Sequence, residues 1–243
     1  MSEVYEVMGE YLLKKYKTLL FDLDDTLLDF GATEDAALRQ LFDDQKMTLT
    51  PEIKAHYKKI NEGLWKSFER GEIDQEELLN TRFSNFFKEY GIDVDGALLE
   101  AKYRNFLKEG HHLMEGAMEL ISTLHKNFEL YIVTNGDSTT QFQRLKDSGL
   151  APFFKDVFVS EDAGFQKPTK EFFDFAFKQI ENFEKEKSII IGDSLTADIT
   201  GGYNVGMDTC WINARGKIND TNIIPTYEIK HLNELYQILD VEL

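Results

Sequence analysis

The sequence predicts an α/β protein whose core is a Rossmann-like, doubly wound parallel sheet, with a helical segment inserted near its start. Two observations support this class. From about residue 113 onwards, short apolar runs alternate with amphipathic helical patterns, and this alternation is typical of parallel strands connected by helices. Residues 30–109, in contrast, contain no β-branched strand run and have helical spacing almost throughout.

The first strand is the apolar run that ends at Phe21, and the helical segment follows it. A first helix is expected to begin at about residues 33–36, and Pro51 opens a second one, because proline is favoured in the first helical turn. A third helix begins at Asp74, and a fourth is expected over residues 98–107.

The rest of the chain alternates between strands and helices. The predicted strands are short runs rich in apolar and β-branched residues, and the predicted helices have apolar residues at a spacing of three or four. Strands are expected over residues 130–134, 157–160, 188–191 and 209–212, and helices over residues 117–125, 140–147, 171–180, 195–204 and 232–239.

Two carboxylates, Asp22 and Asp24, follow the first strand at alternate positions, and Thr26 continues the spacing. An unpaired carboxylate is expensive to bury, whereas open α/β sheets place their chemistry just outside the carboxyl ends of strands. Two carboxylates in one pocket can divide the work, one as an ionised nucleophile and metal ligand and the other as a proton carrier. A polar turn is the competing interpretation, because Asp and Thr are ordinary turn residues.

Three later segments carry polar groups at similar places. Thr134 ends an apolar strand and is followed by Asn135 and Gly136, and Lys167 lies in a loop before a helical pattern. The sequence Gly-Asp-Ser-Leu-Thr-Ala-Asp at residues 192–198 follows a further strand. Taken alone, Lys167 would be a solvated surface lysine and Thr134 a turn or helix cap. Taken together, the segments predict a single site.

In this order, the four segments resemble the motifs of the haloacid dehalogenase-like hydrolase superfamily. The resemblance rests on Asp-Leu-Asp-Asp-Thr at residues 22–26, Thr134, Lys167 and the run at residues 192–198, and it covers the chain from about Lys15 onwards.

The resemblance implies a domain organisation. Residues 1–29 and 110–243 would form the catalytic core, and residues 30–109 an α-helical cap domain inserted after the first motif. The strand before Asp22 would be central in the sheet, with the strand before Asp193 beside it.

The resemblance also implies the chemistry of the site. Asp22 would attack phosphorus to give an aspartyl phosphate, and Asp24 would protonate the departing oxygen and later deprotonate the attacking water. Mg²⁺ would be the cofactor, because it suits a site of carboxylates, a carbonyl, phosphate and waters. Its ligands would be Asp22, the main-chain carbonyl of Asp24 and Asp193, with Asp198 as an outer partner that orients a metal-bound water or the lysine.

A second set of residues would bind the phosphate group. Lys167 would neutralise the charge on the phosphate and the nucleophile, and Thr134 would act together with main-chain amides around Asn135 and Asp25. The complete expected set is Asp25, Thr26, Thr134, Asn135, Gly136 and Lys167.

Asp24 argues for a phosphate ester as the substrate, because the halide of a dehalogenase substrate leaves unprotonated and needs no acid. Residues 22–32 and 134–141 resemble a branch of the superfamily that dephosphorylates pyrimidine nucleoside monophosphates, the pyrimidine 5'-nucleotidases. Phosphoglycolate and sugar-phosphate phosphatases share much of this core and stay open as alternatives. A phosphosugar mutase is less favoured, because Asp25 stands where mutases usually carry glycine. A non-catalytic nucleotide-binding module is disfavoured, because all four chemical positions are filled.

Aromatic residues are frequent in the helical segment, which is expected to decide what substrate enters. Most of these rings must form the segment's own small core, whereas one or two would be available to stack on a planar base. They are Phe30, Trp65, Phe68, Phe83, Phe86, Phe87, Tyr90, Tyr103 and Phe106.

The amino-acid composition indicates which kinds of partner the chain can bind and in which compartment it is expected. The 243 residues include 44 acidic and 27 basic side chains, and the net charge of −17 argues against nucleic acid or an anionic membrane as a partner. The expected partner is a small phosphorylated metabolite, specifically a nucleotide. Residues 1–16 lack the features of a signal peptide, and the single cysteine, Cys210, is expected to be a buried core thiol, in agreement with a cytoplasmic location. The order of residues 1–15 and the oligomeric state are left open by the sequence.

Overall fold

A computed structural model describes residues 16–242 and contains a six-stranded sheet whose neighbouring strands are all parallel. Its strands are β1 (Thr18–Phe21), β2 (Glu129–Thr134), β3 (Asp156–Val159), β4 (Ser188–Gly192), β5 (Asp208–Ile212) and β6 (Tyr227–Ile229). The spatial order is β3-β2-β1-β4-β5-β6. The predicted fold class and the central position of the first strand are therefore confirmed. The question of order in residues 1–15 lies outside the described residues.

The helices either cover the sheet or belong to the segment inserted after β1. They are α1 (Phe30–Asp44), α2 (Pro51–Glu69), α3 (Gln75–Glu89), α4 (Gly96–Glu109), α5 (Ala117–Leu124), α6 (Ser138–Asp147), α7 (Ser160–Ala163), α8 (Lys170–Gln179), α9 (Thr200–Val205) and α10 (Leu235–Ile238). Within residues 16–242, no helix has the length and apolar character needed to cross a membrane.

The first inserted helix begins earlier than predicted. It starts at Phe30 rather than near residues 33–36, because the side chain of Asp29 accepts a hydrogen bond from the amide of Ala32 at 2.9 Å and caps the helix. The periodic apolar residues begin only one turn later, so their pattern alone placed the start too late.

Other elements also differ from the sequence prediction. Strand β3 ends at Val159, and Ser160 opens the short helix α7. The predicted helix over residues 195–204 begins as a π-helical turn, Leu195–Ile199, before α9. Strand β6 was not predicted, because it has only three residues, one of them glutamate, and lies at the edge of the sheet.

Both faces of the sheet are buried, which is why its strands are nearly continuous apolar runs. Successive residues of β1 point to opposite faces. Leu19 and Phe21 join an apolar cluster with α5, α6 and α10, whereas Leu20 joins a second cluster with α8 and α9. In the parallel register, Phe21 lies beside Ile132 of β2 and Ile191 of β4. The residues that follow these three strands therefore meet at one edge of the sheet.

Helices α1–α4, here called the cap helices, pack around an apolar cluster of their own. Its centre is aromatic: Tyr57 stacks on Phe83 with ring centroids 5.4 Å apart, and Phe42 lies 5.4 Å from Phe86 and 5.2 Å from Phe87. All of these rings are fully buried. As expected, most of the aromatic residues in this segment serve its own core.

Two chain crossings join the cap helices to the rest of the protein, and they run side by side. The amide of Asp29, before α1, donates to the carbonyl of His112, after α4, at 2.8 Å. A Cβ atom on Gly110, which ends α4, would lie 2.1 Å from Cγ2 of Thr33 in α1. Only glycine fits this contact, so the second crossing packs directly on the first turn of α1.

Cys210 lies in β5 and is fully buried, as predicted. Burial raises the pKa of its thiol to about 12. The reactive thiolate is therefore scarce at neutral pH, and the side chain acts as a small apolar residue of the core.

Candidate active site

Asp22 directly follows β1 and lies at the carboxyl edge of the sheet. Its amide donates to the carbonyl of Ile191 in β4 at 2.9 Å, so the parallel hydrogen-bond pattern continues one residue beyond β1 and fixes the backbone of Asp22. The residue is only 7% exposed. Burial raises the pKa of the Asp22 carboxyl, and the ammonium of Lys167 opposes that rise.

The ammonium of Lys167 is buried at the centre of the site. It donates to Oδ1 of Asp22 at 2.8 Å, to Oδ1 of Asp198 at 2.7 Å and to the carbonyl of Val133 at 2.7 Å. Burial by itself would lower the pKa of Lys167, but Asp198 and Asp22 outweigh it and raise the pKa above its ordinary value. At 1% exposure, Lys167 is not a solvated surface lysine.

Asn135 fixes the backbone that carries Lys167. Its Oδ1 accepts from the amide of Lys167 at 2.8 Å, and its Nδ2 donates to the carbonyl of the same residue at 2.9 Å. This reciprocal pair ties the loop after β2 to the loop before α8. The side chain of Asn135 therefore supports the lysine rather than facing a ligand.

Asp198 lies in the π-helical turn after β4 and is fully buried. Its Oδ2 accepts from the amide of Ser194 at 3.1 Å. A Cβ atom on Gly192 would lie 2.2 Å from that same oxygen. The glycine that ends β4 is thus what allows Asp198 to reach Lys167.

Three carboxylates form an acidic cluster at the sheet edge. Asp22, Asp193 and Asp198 each offer an oxygen within 4.8 Å of the others. Burial raises the pKa of Asp193 to about 6, and the ammonium of Lys217, 3.0 Å from its Oδ2, opposes the rise. A compact set of carboxylate oxygens has the donor chemistry that Mg²⁺ binds.

Asp24 is held by two buried side chains of helix α6. Its Oδ1 accepts from Nη1 of Arg144 at 2.5 Å, and its Oδ2 accepts from Nε2 of Gln141 at 2.7 Å. The same amide nitrogen of Gln141 donates to Oγ1 of Thr134 at 2.8 Å. Gln141 therefore connects the second carboxylate of the first motif with the threonine that ends β2.

Among the expected phosphate-binding residues, Thr134, Asn135, Gly136, Lys167 and Asp25 line the same cleft. The amide of Gly136 donates to Oγ of Ser160 at 3.1 Å, and that of Asp25 donates to the carbonyl of Leu28 at 2.8 Å. A phosphoryl oxygen at either amide would have to share the hydrogen or displace its acceptor.

Thr26 is the expected site residue that the structure does not bring to the cleft. It is fully buried and absent from the cleft lining. Its Oγ1 has no hydrogen-bond partner within residues 16–242. The alternate spacing that linked it to Asp22 and Asp24 does not hold, because the chain turns after β1 and is no longer extended.

The cleft has a volume of about 630 Å³ and lies between the sheet edge and the cap helices. From the cap helices, Asn61, which is buried, and Trp65, which is half-buried, line it. The cap helices also bond to the loop that follows Thr134 and to the segments that carry Lys167 and Asp198. These hydrogen bonds run from Gln75 Nε2 to the Gly136 carbonyl at 3.3 Å, from Gln166 Nε2 to the Phe68 carbonyl at 2.9 Å and from Thr196 Oγ1 to Glu69 Oε2 at 2.5 Å.

Three residues that bind Asp24 or Asp193 were not predicted from the sequence: Gln141, Arg144 and Lys217. A signal existed for two of them, because Gln141 and Arg144 are three apart and lie on the same helical face as the apolar Leu145. Polar side chains on the core-facing side of a helix indicate a buried polar contact. Lys217 lies in the irregular segment after β5, where no pattern marks it.

The family can be assigned from a sequence comparison. The sequence model of the haloacid dehalogenase-like hydrolase family matches residues 19–212. The chain belongs to this family. The matched region runs from β1 to the end of β5 and includes all four motifs, so the resemblance seen in the sequence is confirmed.

Individual proteins of the family are similar over nearly the whole chain. YfnB, a HAD-hydrolase of Bacillus subtilis, is 61% identical over 95% of this chain and 98% of its own length. The pyrimidine 5'-nucleotidases PynA of Streptococcus pneumoniae and YjjG of Escherichia coli are 44% and 33% identical, each over 93% of this chain and over 95% and 98% of their own lengths. A crystal structure of magnesium-bound YfnB matches with a TM-score of 0.91 over 94% of this chain and 100% of that chain.

The burial of Lys167 leads to a stability prediction. Lys167→Met should lower the free energy of unfolding at pH 8 by about 3–5 kcal/mol, because it leaves buried carboxylates without their counter-charge. In the variant, nothing opposes the raised pKa of Asp22, so the folded state binds a proton more readily than the unfolded state. The destabilisation should therefore shrink as the pH falls from 8 to 5.5.

Urea unfolding at the two pH values measures this effect. Lys170→Met, which removes an exposed lysine, serves as the matched control and should change stability by less than about 0.5 kcal/mol. Equal stability of Lys167→Met and the wild type at pH 8 would contradict the counter-charge role.

Proposed function

We propose that the chain is a Mg²⁺-dependent phosphomonoester hydrolase that acts through an aspartyl phosphate on Asp22, and that its substrates are nucleoside 5'-monophosphates, with pyrimidines preferred. One observation carries the proposal: the carboxylate of Asp22 lies 2.8 Å from a buried ammonium and within 4.8 Å of oxygens from two further carboxylates. A nucleophile beside a fixed cation and a cation-binding cluster suits attack on a phosphate dianion.

The residues at the sheet edge fit Mg²⁺. The donors are oxygens only, and Asp193 has a raised pKa because it is buried beside other carboxylates, as expected for a cluster that a divalent cation stabilises. Asp22, Asp193 and the main-chain carbonyl of Asp24 would hold the ion, and Asp198 would orient its surroundings. When bound, Mg²⁺ neutralises charge on the phosphate and the nucleophile.

In the first step, a carboxylate oxygen of Asp22 forms a bond to phosphorus while the bond to the ester oxygen breaks. The departing oxygen takes a proton from the carboxyl group of Asp24. Lys167 reduces the repulsion between nucleophile and phosphate, and Thr134 contributes a hydroxyl to the phosphoryl oxygens.

In the second step, water attacks phosphorus of the aspartyl phosphate and restores Asp22. Asp24, now a carboxylate, accepts the proton of this water, so protons balance over the cycle. Inorganic phosphate and the dephosphorylated alcohol are the products.

The substrate class rests on two kinds of support. The relatives PynA and YjjG are pyrimidine 5'-nucleotidases, and the cleft combines the half-buried ring of Trp65 with the buried amide of Asn61. The ring suits a planar base. The Asn61 amide accepts from Arg82 at 3.3 Å and donates to Glu34 at 3.5 Å, and it keeps one further hydrogen and one lone pair for the polar edge of a base. The sugar-phosphate and phosphoglycolate phosphatases stay the alternative, and a dehalogenase is disfavoured because it would not use Asp24.

The domain division is part of the same proposal. Residues 1–29 and 110–243 would be the catalytic core and residues 30–109 the substrate-selecting cap domain. The separate apolar cluster of the cap helices supports it.

A substrate screen with one variant tests the proposed activity. Phosphate release should be fastest with pyrimidine nucleoside monophosphates among nucleotides, sugar phosphates and phosphoglycolate. Asp22→Asn should reduce the rate by about 10⁴-fold or more, because the amide is a far poorer nucleophile.

Asp43→Asn makes the same change on the exposed face of α1 and should keep full activity. Retention of more than a few per cent of wild-type activity by Asp22→Asn, with contaminating phosphatase excluded, would refute the nucleophile assignment.

The metal site is tested by binding. Asp193→Asn should weaken Mg²⁺ affinity, measured by calorimetry, by about 10–100-fold or more, because it removes a direct carboxylate ligand. Asp220→Asn removes a charge from an exposed residue of the cleft rim and should change the affinity much less. Equal affinities of the two variants would place the ion elsewhere.

The role of Asp24 is tested by changing the leaving group. Asp24→Asn should slow phosphoryl transfer from a nucleoside monophosphate by about 10²–10⁴-fold, the usual worth of a general acid. With an aryl phosphate, the same variant should slow this step much less, because the phenolate leaves without a proton. Rapid-mixing measurements separate this step from hydrolysis of the aspartyl phosphate, and equal losses for both substrates would count against Asp24 as the acid.

A further inference from the structure

We propose that Arg144 is a positioning residue for Asp24, and that it couples the position of this carboxylate to the two chain crossings of the cap helices. The inference rests on the proposed phosphatase function, in which Asp24 transfers protons. It assigns a role to a residue outside the four motifs.

Arg144 is one of the largest fully buried side chains of the protein, with 1% exposure. Its Nη1 donates to Oδ1 of Asp24 at 2.5 Å and to Oε1 of Gln141 at 3.0 Å. Because Gln141 in turn donates to Oδ2 of Asp24, each carboxylate oxygen has a donor from α6. The orientation of Asp24 is therefore set by this helix.

The other edge of the guanidinium contacts the chain crossings. Nε of Arg144 donates to the carbonyl of Gly110, the residue that ends α4, at 2.8 Å. The guanidinium carbon lies 5.5 Å from the ring centroid of Phe30, the first residue of α1. One side chain thus touches both crossings and Asp24.

These contacts are coupled because the crossings are packed on each other. Gly110 lies against Thr33 with no room for a Cβ atom, so a rotation of α1 moves both Phe30 and Gly110. Arg144 must follow, because its planar group is held by a hydrogen bond on one edge and by the ring on its face. A movement of the cap helices is thereby transmitted to the donor that holds Asp24.

The second terminal nitrogen of Arg144 is a further buried donor beside the one that binds Asp24. Nη2 is buried and has no hydrogen-bond partner among the described residues, and a buried guanidinium nitrogen without an acceptor is costly. It offers Asp24 an alternative donor on the same guanidinium. The guanidinium therefore has donor capacity beyond the bond that its Nη1 makes with Asp24.

A double-mutant cycle tests the coupling to Asp24, with Mg²⁺ present and with uridine 5'-monophosphate and p-nitrophenyl phosphate as substrates. Arg144→Met should slow single-turnover phosphoryl transfer from the nucleotide by about 10–100-fold, the scale of a small misplacement of a reacting group. Loss with the aryl phosphate should stay below about 3-fold, because its leaving group needs no acid. In an Asp24→Asn background, Arg144→Met should cost less than about 2-fold further.

Phe30→Ala tests the link to the crossings while leaving the pair of Arg144 and Asp24 in place, and it is available even if Arg144→Met does not fold. It should cause a smaller loss, about 3–10-fold, with the same dependence on leaving group and on Asp24. Arg39→Met, on the exposed face of α1, is the control for the substitution itself and should leave all rates unchanged.

Each outcome decides the inference. If Arg144→Met slows phosphoryl transfer equally for both substrates, its role is merely structural and the assignment of Arg144 is overturned. The same holds if its effect in the Asp24→Asn background is as large as in the wild type. If Phe30→Ala slows the reaction by the same factor in the wild type and in the Asp24→Asn background, the coupling to the crossings is overturned. A wild-type enzyme inactive on every phosphate ester would overturn the proposed function as well, so the two failures are distinguishable.

Discussion

The site depends on one interaction, the buried ammonium of Lys167 between Asp22 and Asp198. Neither carboxylate could be buried at such low exposure without a counter-charge, and the two come from the ends of different strands, β1 and β4. Their approach requires Gly192, which leaves room for Asp198, and Asn135, which fixes the backbone of the lysine. The segments that follow the adjacent parallel strands β2, β1 and β4 are thereby held together by one ammonium group.

The remaining parts of the cleft are arranged around this centre. The chain carries a net charge of −17, yet Lys167, Arg144 and Lys217 each bind a carboxylate of the first or fourth motif. These cations offset part of the negative charge at the sheet edge, which favours the anionic substrate proposed above. The cap helices bind the loops of the core through polar side chains, and within residues 16–242 their apolar cluster is separate from those of the sheet. This contact is therefore polar and does not continue the apolar core of the sheet.

Much of the fold and the site could be predicted because both follow from short-range patterns. Apolar runs in alternation with helical spacing specify parallel strands, and charged residues directly after a strand have to lie at its carboxyl edge. Prediction failed where the pattern was too short or where the contact was distant. Strand β6 has three residues, the cap of α1 precedes its apolar stripe, and Thr26 leaves the strand spacing at the turn. Arg144 reaches Asp24 from 120 residues away, which local spacing cannot reveal.

The sequence by itself determined the order of the first five strands and of the longer helices, the insertion after β1 and the identity of the chemical groups: a strand-end aspartate, a second aspartate two residues later, a lysine and a further acidic run. These depend on backbone periodicity and on side-chain chemistry, which are local. Only the tertiary structure decided that Lys167 bonds to Asp22 and Asp198, that Asp24 accepts hydrogen bonds from Gln141 and Arg144, and that Thr26 is buried outside the cleft. Those outcomes depend on the parallel register of the strands and on how distant segments pack against one another. A buried charge pairs with the groups that the fold brings within hydrogen-bond distance.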